Sequence, residues 1–157
     1  MIYEDLGIIE YSKAWDYQEK LFEEELSRKS NNIETDNYLL FCEHPHVITV
    51  GKHGKEENLL FQEESLRQKG VSLFKIDRGG DVTYHGPGQL VGYPIFDLES
   101  YNIGLKQYIY NLEEIIIRFL SLYGVKSSRL DGAAGVWLDT ETSSRTRKIA
   151  AIGVRSS

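Results

Sequence analysis

Cysteine occurs once in this chain, at Cys42, which excludes an internal disulfide framework and fits a reducing compartment. No apolar run approaches the roughly 18 to 20 residues of a membrane span. The opening segment, MIYEDLGIIEY, has neither the basic region nor the hydrophobic core of a secretion signal. A cytoplasmic protein without a membrane partner is therefore expected. Basic residues are outnumbered, 18 against 24 acidic, for a formal net charge of −6. That balance argues against non-specific nucleic-acid binding, which needs a basic face. The three prolines, Pro45, Pro87 and Pro94, all fall where an element should break, turn or lie at an edge.

What is present fits one compact domain: 157 residues, 41% hydrophobic and 27% charged. Residues 2–9 read as a strand and Tyr11 to Lys29 as a helix capped by Ser12, with Ala14, Trp15, Tyr17, Leu21, Phe22 and Leu26 on its apolar face. Tyr38 to Cys42 and Val47 to Val50 are β-rich runs broken at Glu43-His44-Pro45, a bent strand or hairpin. The loop from Gly51 to Asn58 lacks P-loop spacing. Leu59 to Lys69 reads as a helix stopped by Gly70, and 71–77 as a strand. Pro94 makes the run VGYPIFDL an edge or bulged strand. Leu105, Tyr108, Ile109, Leu112, Ile115, Ile116, Phe119, Leu120 and Tyr123 recur at helical spacing, a stripe that core packing would explain. A strand over 125–130, a turn at Asp131-Gly132, a strand over 135–138 and a last strand over 148–154 complete an α+β reading, a mixed sheet covered by helices in two layers.

The stretch RGGDVTYHGPGQLVGYPIFDL, Arg78 to Leu98, concentrates conformationally special residues beyond what a hairpin needs. Gly79 and Gly80 let backbone approach a ligand, while Pro87 and Gly88 suit the centre of a type II turn delivering Gln89 into a new strand. Alternation puts Thr83 and His85 on one face and Tyr84 on the other. In KIAAIGV, a lysine, Lys148, opens an otherwise apolar and small strand, where burial or neighbouring cations would depress its pKa. Small residues there let a ligand lie against backbone, and tight sheet packing would look the same. His44 and His46, at i and i+2, raise a metal hypothesis that Pro45 weakens, and no zinc motif accompanies them. Cys42, in an apolar strand, reads as an inert buried thiol. Lys52, His53, Lys55, Arg78, Arg145, Arg147, Lys148 and Arg155 fall in or beside these motifs and, gathered together, would steer an acidic protein partner.

RGGDVTYHGPGQLVGYP resembles the signature of the lipoyl(octanoyl) transferases. KIAAIG, Lys148 to Gly153, is similar to that family's lysine motif, and Glu43-His44-Pro45 with Thr49-Val50-Gly51 to its first strand pair, in the family's order. The resemblance implies the fold shared by biotin and lipoate ligases. It implies transfer of an octanoyl group from octanoyl-acyl carrier protein, through a cysteine thioester, to a lysine of lipoyl-accepting domains, those of 2-oxoacid dehydrogenases and the glycine cleavage H protein. It implies a monomer that needs no cofactor and no metal. Lys148 would be the catalytic acid/base and thiolate partner; Arg78, Gly79, Gly80, Asp81, Val82, Thr83, Tyr84 and His85, with Ala151, Ile152 and Gly153, would hold the acyl thioester. One departure stands out: the family's nucleophilic cysteine lies downstream of the lysine motif, and the 157 residues stop before it, so a catalytic domain incomplete at its C-terminal end is expected. Two other readings stay open. An ATP-dependent lipoate or biotin ligase shares the fold but carries a different glycine-rich signature, and a non-catalytic acyl or carrier-protein binding module would need no thiol.

Overall fold

The structure is a computed structural model that describes residues 1–52, 54, 63–77 and 79–155. Expectations that fall on Arg78, His53, Lys55 and residues 59–62 lie outside the described residues. The chain forms two compact units, Met1–Asp97 and Leu98–Ser157.

In the first unit, β1 (Ile2–Ile8) runs parallel to β2 (Tyr38–Glu43), which pairs antiparallel with β6 (Val91–Ile95). A second sheet centres on β3 (Val47–Val50), parallel to β4 (Ser72–Lys75) and antiparallel to β5 (Val82–His85). Both sheets are mixed, as the α+β reading requires. The two runs either side of Glu43-His44-Pro45 are neither one bent strand nor a hairpin, because β2 and β3 join different sheets. The physical reason lies at the break: proline supplies no N–H to continue a ladder, and His44 turns fully into the interior. Helix α1 (Tyr11–Ser30) buries Tyr11, Ala14, Leu21 and Glu25, with Trp15, Tyr17 and Phe22 half-buried and Leu26 exposed. Its N-cap is Glu10 without a capping side-chain bond, so Ser12 does not cap it. Glu25 is tolerated inside because its carboxylate accepts the Asp36 N–H at 2.6 Å.

Helix α2 (Glu63–Gln68) ends before Gly70, whose φ of +71° supplies the left-handed exit expected of a helix stop. The Gly86-Pro87-Gly88 turn forms as anticipated: the Gln89 N–H donates to Gly86 O at 3.1 Å, and Gly88 sits at φ +82°. Pro94 lies on β6, an edge of its sheet, where a missing N–H costs no ladder bond. Leu40, Cys42, Val47, Val50, Leu66 and Val91 form the apolar core of this unit.

The second unit sets α3 (Leu105–Leu122) against an antiparallel sheet of β7 (Ser128–Leu130), β8 (Ala133–Leu138) and β9 (Arg147–Ala150). Gly132, at φ +75°, makes the β7–β8 turn. The α3 stripe is not used as a core stripe throughout. Tyr108 is buried, whereas Ile115 (62%), Phe119 (53%) and Tyr123 (71%) are exposed. The helix instead carries a buried carboxylate, Glu113, whose two oxygens accept the Gly135 N–H at 2.9 Å and Arg129 Nε at 3.1 Å. Arg129 also reaches Glu114 at 2.9 Å and lies 3.7 Å from the Tyr110 ring centroid. No helix among the described residues is long and apolar enough to cross a membrane.

Candidate active site

The glycine-rich motif of the first unit is tied to the end of β3. Gly51 donates its N–H to Asp81 O at 2.9 Å and accepts the Gly54 N–H at the same distance. Gly80, at φ +96°, makes the approach to β5, a backbone conformation that side-chain-bearing residues rarely adopt. Asp81 is exposed, while Gly79, Val82 and Thr83 are half-buried. From Val82 the chain is extended and its faces alternate as the sequence predicts.

The His85 ring lies inward, stacked on Tyr11 at 6.5 Å between centroids and 5.9 Å from His44. Its Nδ1 donates to Gln89 Oε1 at 2.6 Å. Tyr84 is exposed on the opposite face, stacked on His46, and its hydroxyl is hydrogen-bonded to His46 Nδ1 at 2.6 Å. A Cβ at Gly86 would strike the Tyr84 phenol, which would have to swing away from His46. Glu43 accepts the Gly88 N–H at 2.8 Å and fastens the turn to the end of β2. The motif thus presents two chemically different faces.

Behind the inner face lies a polar-aromatic cluster that sequence reasoning did not assemble. His44 is completely buried. Its Nδ1 lies 2.8 Å from the Ile9 carbonyl, which can only accept, so Nδ1 carries the hydrogen; Nε2 then accepts from the Tyr93 hydroxyl at 2.8 Å. Tyr11 packs edge-on to His44 and against Phe74. His46, two residues on, is exposed, so the pair that i, i+2 spacing would turn the same way occupies opposite environments. Cys42 Sγ, 3.5 Å from His44 Nε2, is 2% exposed, and burial first, then the charge of Asp5, pushes its pKa up to about 11. The inert thiol read from the sequence is what the fold contains.

In the second unit β9 ends at Ala150, four residues short of the expected strand. The reason is on β8: the last paired position is Val136 with Ala150, and the next residue, Gly135, gives its N–H to Glu113 instead of to β9. Ala151, Ile152 and Gly153 therefore follow the strand as irregular backbone, Ala151 and Gly153 exposed and Ile152 half-buried. Lys148 is exposed, so of the two influences named for it burial does not act. Its Nζ stands 4.5 Å from the Trp137 ring centroid, across the β8–β9 pair. Arg145, Arg147 and Arg155 are exposed as well, with Arg147 neutralised by Asp139 at 2.7 Å. Trp137, Glu113 and Gly135 were not singled out from sequence; the one available signal was a glycine inside the apolar strand AAGVWL.

A family model described as the lipoyl protein ligase A/B catalytic domain matches residues 10–157. Among curated relatives, an octanoyltransferase of Parabacteroides distasonis is 61% identical over 155 residues, covering 99% of this chain and 70% of its own length. Another from Porphyromonas gingivalis is 55% identical over 155 residues, of which this chain spans only 32%. One from Bacteroides fragilis is 54% identical over 153 residues and 69% spanned. Among solved structures, a bipartite lipoate protein ligase of Thermoplasma acidophilum superposes with a TM-score of 0.64 at 16% identity, over 96% of this chain and 56% of that one. A lipoate-protein ligase A bound with ATP gives 0.54 at 17% identity, over 83% and 51%. This chain thus spans about half the length of those solved chains, and the likeness shows the fold.

Proposed function

We propose that this chain, which belongs to the lipoyl protein ligase A/B catalytic domain family and within it to the octanoyltransferases, supplies the catalytic machinery of an acyltransferase in protein lipoylation. The observation that carries this reading is identity of 54 to 61% with octanoyltransferases across nearly the whole chain. The reaction moves an octanoyl group from the thiol of acyl carrier protein to a lysine of a lipoyl-accepting domain, those of 2-oxoacid dehydrogenases and the glycine cleavage H protein. An enzyme thiolate attacks the thioester carbonyl, the carrier thiolate leaves and takes a proton, and an enzyme thioester results. The acceptor amine then attacks, the carbon–sulfur bond breaks, and the proton lost from nitrogen returns to sulfur. Thioester exchange is close to neutral and amide formation is downhill, so neither ATP nor a metal is called for.

Lys148 is the group that handles protons and faces thiolate charge in this scheme, supported by its exposure and its place in KIAAIG. Arg78 to His85 and Ala151 to Gly153 hold the acyl thioester, supported by the backbone turns at Gly79-Gly80 and the open backbone after Ala150. Cys42 is not the nucleophile, because its thiol is buried and held protonated. In the resembled family the nucleophilic thiol follows the lysine motif. We place the complete enzyme in the cytoplasm as a monomer. Incubation of the complete enzyme with octanoyl carrier protein, read by intact mass, tests the reading: a covalent octanoyl adduct formed without ATP supports it. Adduct formation only with ATP would make the protein a ligase, and reversible binding alone would make it a carrier-binding module.

A further inference from the structure

Lys148 carries the proton chemistry of the reading above, yet among the described residues no carboxylate stands within ion-pair distance of it, in a chain with 24 acidic residues. The nearest charged neighbour on its own strand, Arg147, is taken by Asp139. What faces Lys148 from β8 is Trp137, its register partner, with the ring centroid 4.5 Å from Nζ. The indole is itself fixed: its Nε1–H donates to Ala133 O at 3.1 Å. β9 is pressed against β8 at the same place, since a Cβ on Gly135 would collide with the Ala150 carbonyl and touch Lys148 Cδ at 3.5 Å.

We propose that Trp137 is the positioning residue of Lys148, its indole face holding the amine in place without occupying any of its N–H donors. A carboxylate in the same place would fix the charge by occupying donors and would neutralise the field the lysine offers to a thiolate. An aromatic face attracts the cation through its quadrupole and uses no donor. The proposal rests on the catalytic reading of Lys148, and its contact can be judged without turnover.

The experiment is amine-selective acetylation of this chain across a pH series, with modification at each lysine read by peptide mass spectrometry. Trp137→Leu should raise the rate at Lys148 by about two- to five-fold, the worth of one exposed cation–π contact, because the amine is no longer held against the ring. Trp137→Phe should restore most of the wild-type profile. Lys20 and Lys126 should not change. Should the Leu variant fail to fold, fluorinated tryptophan at the two tryptophan positions preserves shape while weakening the face, and the Lys148 rate should climb with fluorine content. Superimposable Lys148 profiles in wild type and Trp137→Leu, or rates indifferent to fluorination, would overturn the proposal. In the complete enzyme, Trp137→Leu should lower kcat with little change in KM, and Phe should recover it. Normal turnover of Lys148→Ala would instead sink the catalytic reading and leave the labelling to judge the contact.

Discussion

His44 in the first unit and Lys148 in the second are both ionisable side chains within motifs, and the fold treats them in opposite ways. His44 is completely buried with both ring nitrogens committed, one to the Ile9 carbonyl and one to Tyr93. Lys148 stands exposed against an aromatic face, and among the described residues no acceptor engages its amine. A committed polar group stabilises and specifies a core; an uncommitted one is available for chemistry. The same contrast holds for the sulfur: Cys42 is buried beside His44 and therefore belongs with the structural set. Presence within a motif does not separate these roles, whereas hydrogen-bond commitment does.

The comparison predicts that stability is lost where commitments are broken, and the largest loss is expected at Glu113. Both its oxygens are engaged inside the second unit, so Glu113→Ala strands the Gly135 N–H and removes one of the two carboxylate partners of Arg129, Glu114 being the other. A loss of about 3 to 5 kcal/mol is expected in urea unfolding. Next comes His44→Leu, which keeps the volume apolar but leaves the Ile9 carbonyl and the Tyr93 hydroxyl without this partner. It should cost about 2 to 3 kcal/mol. A loss under about 0.5 kcal/mol at either position would erase the distinction between committed and open groups.

Those commitments also mark where the sequence was legible. Elements set by local chemistry were readable: the turn at Gly86-Pro87-Gly88, the helix stop at Gly70, the edge strand with Pro94, the buried thiol. Pairings decided by distant partners were not. Nothing local says that β2 and β3 enter different sheets, or that Glu113, 22 residues before Gly135, takes the N–H that would have extended β9. Helical periodicity located α3, but period alone cannot tell a buried stripe from the exposed one at Ile115, Phe119 and Tyr123. The candidate residues are found through motif; the residues that orient them, Trp137 and Gly135, act through cross-strand contacts that only the register reveals.

A smaller effect is expected from pH. The Cys42 thiol ordinarily titrates near 9.0 and is raised to about 11 in the fold by burial. A raised thiol contributes stability that is fully present below its unfolded value and is lost as pH climbs through the window from about 9 to about 11. Above that window the loss should reach at most about 3 kcal/mol. Unfolding measured at pH 8 and pH 10.5 should show part of this loss in the wild-type chain and a flatter response in Cys42→Ala. An equal slope in both would mean that the thiol is not committed to the protonated form.

The smallest effect on stability belongs to Lys148, and it is the sharpest form of the comparison. Lys148→Ala removes one exposed cation–π contact and no buried hydrogen bond, so the unfolding free energy should move by no more than about 0.5 to 1 kcal/mol. Acyl transfer by the complete enzyme should fall by about 10² to 10⁴, the range for a removed acid/base group, because the contribution is made in the transition state and not in the core. Lys148→Arg separates charge from proton transfer: the guanidinium can keep the cation over Trp137 but cannot give up its proton, so binding of the octanoyl carrier should survive while turnover does not. Matched melting curves and turnover for the three proteins decide it. If the Lys148→Arg variant supported near-normal turnover, charge alone would suffice and the proton-handling role would fall.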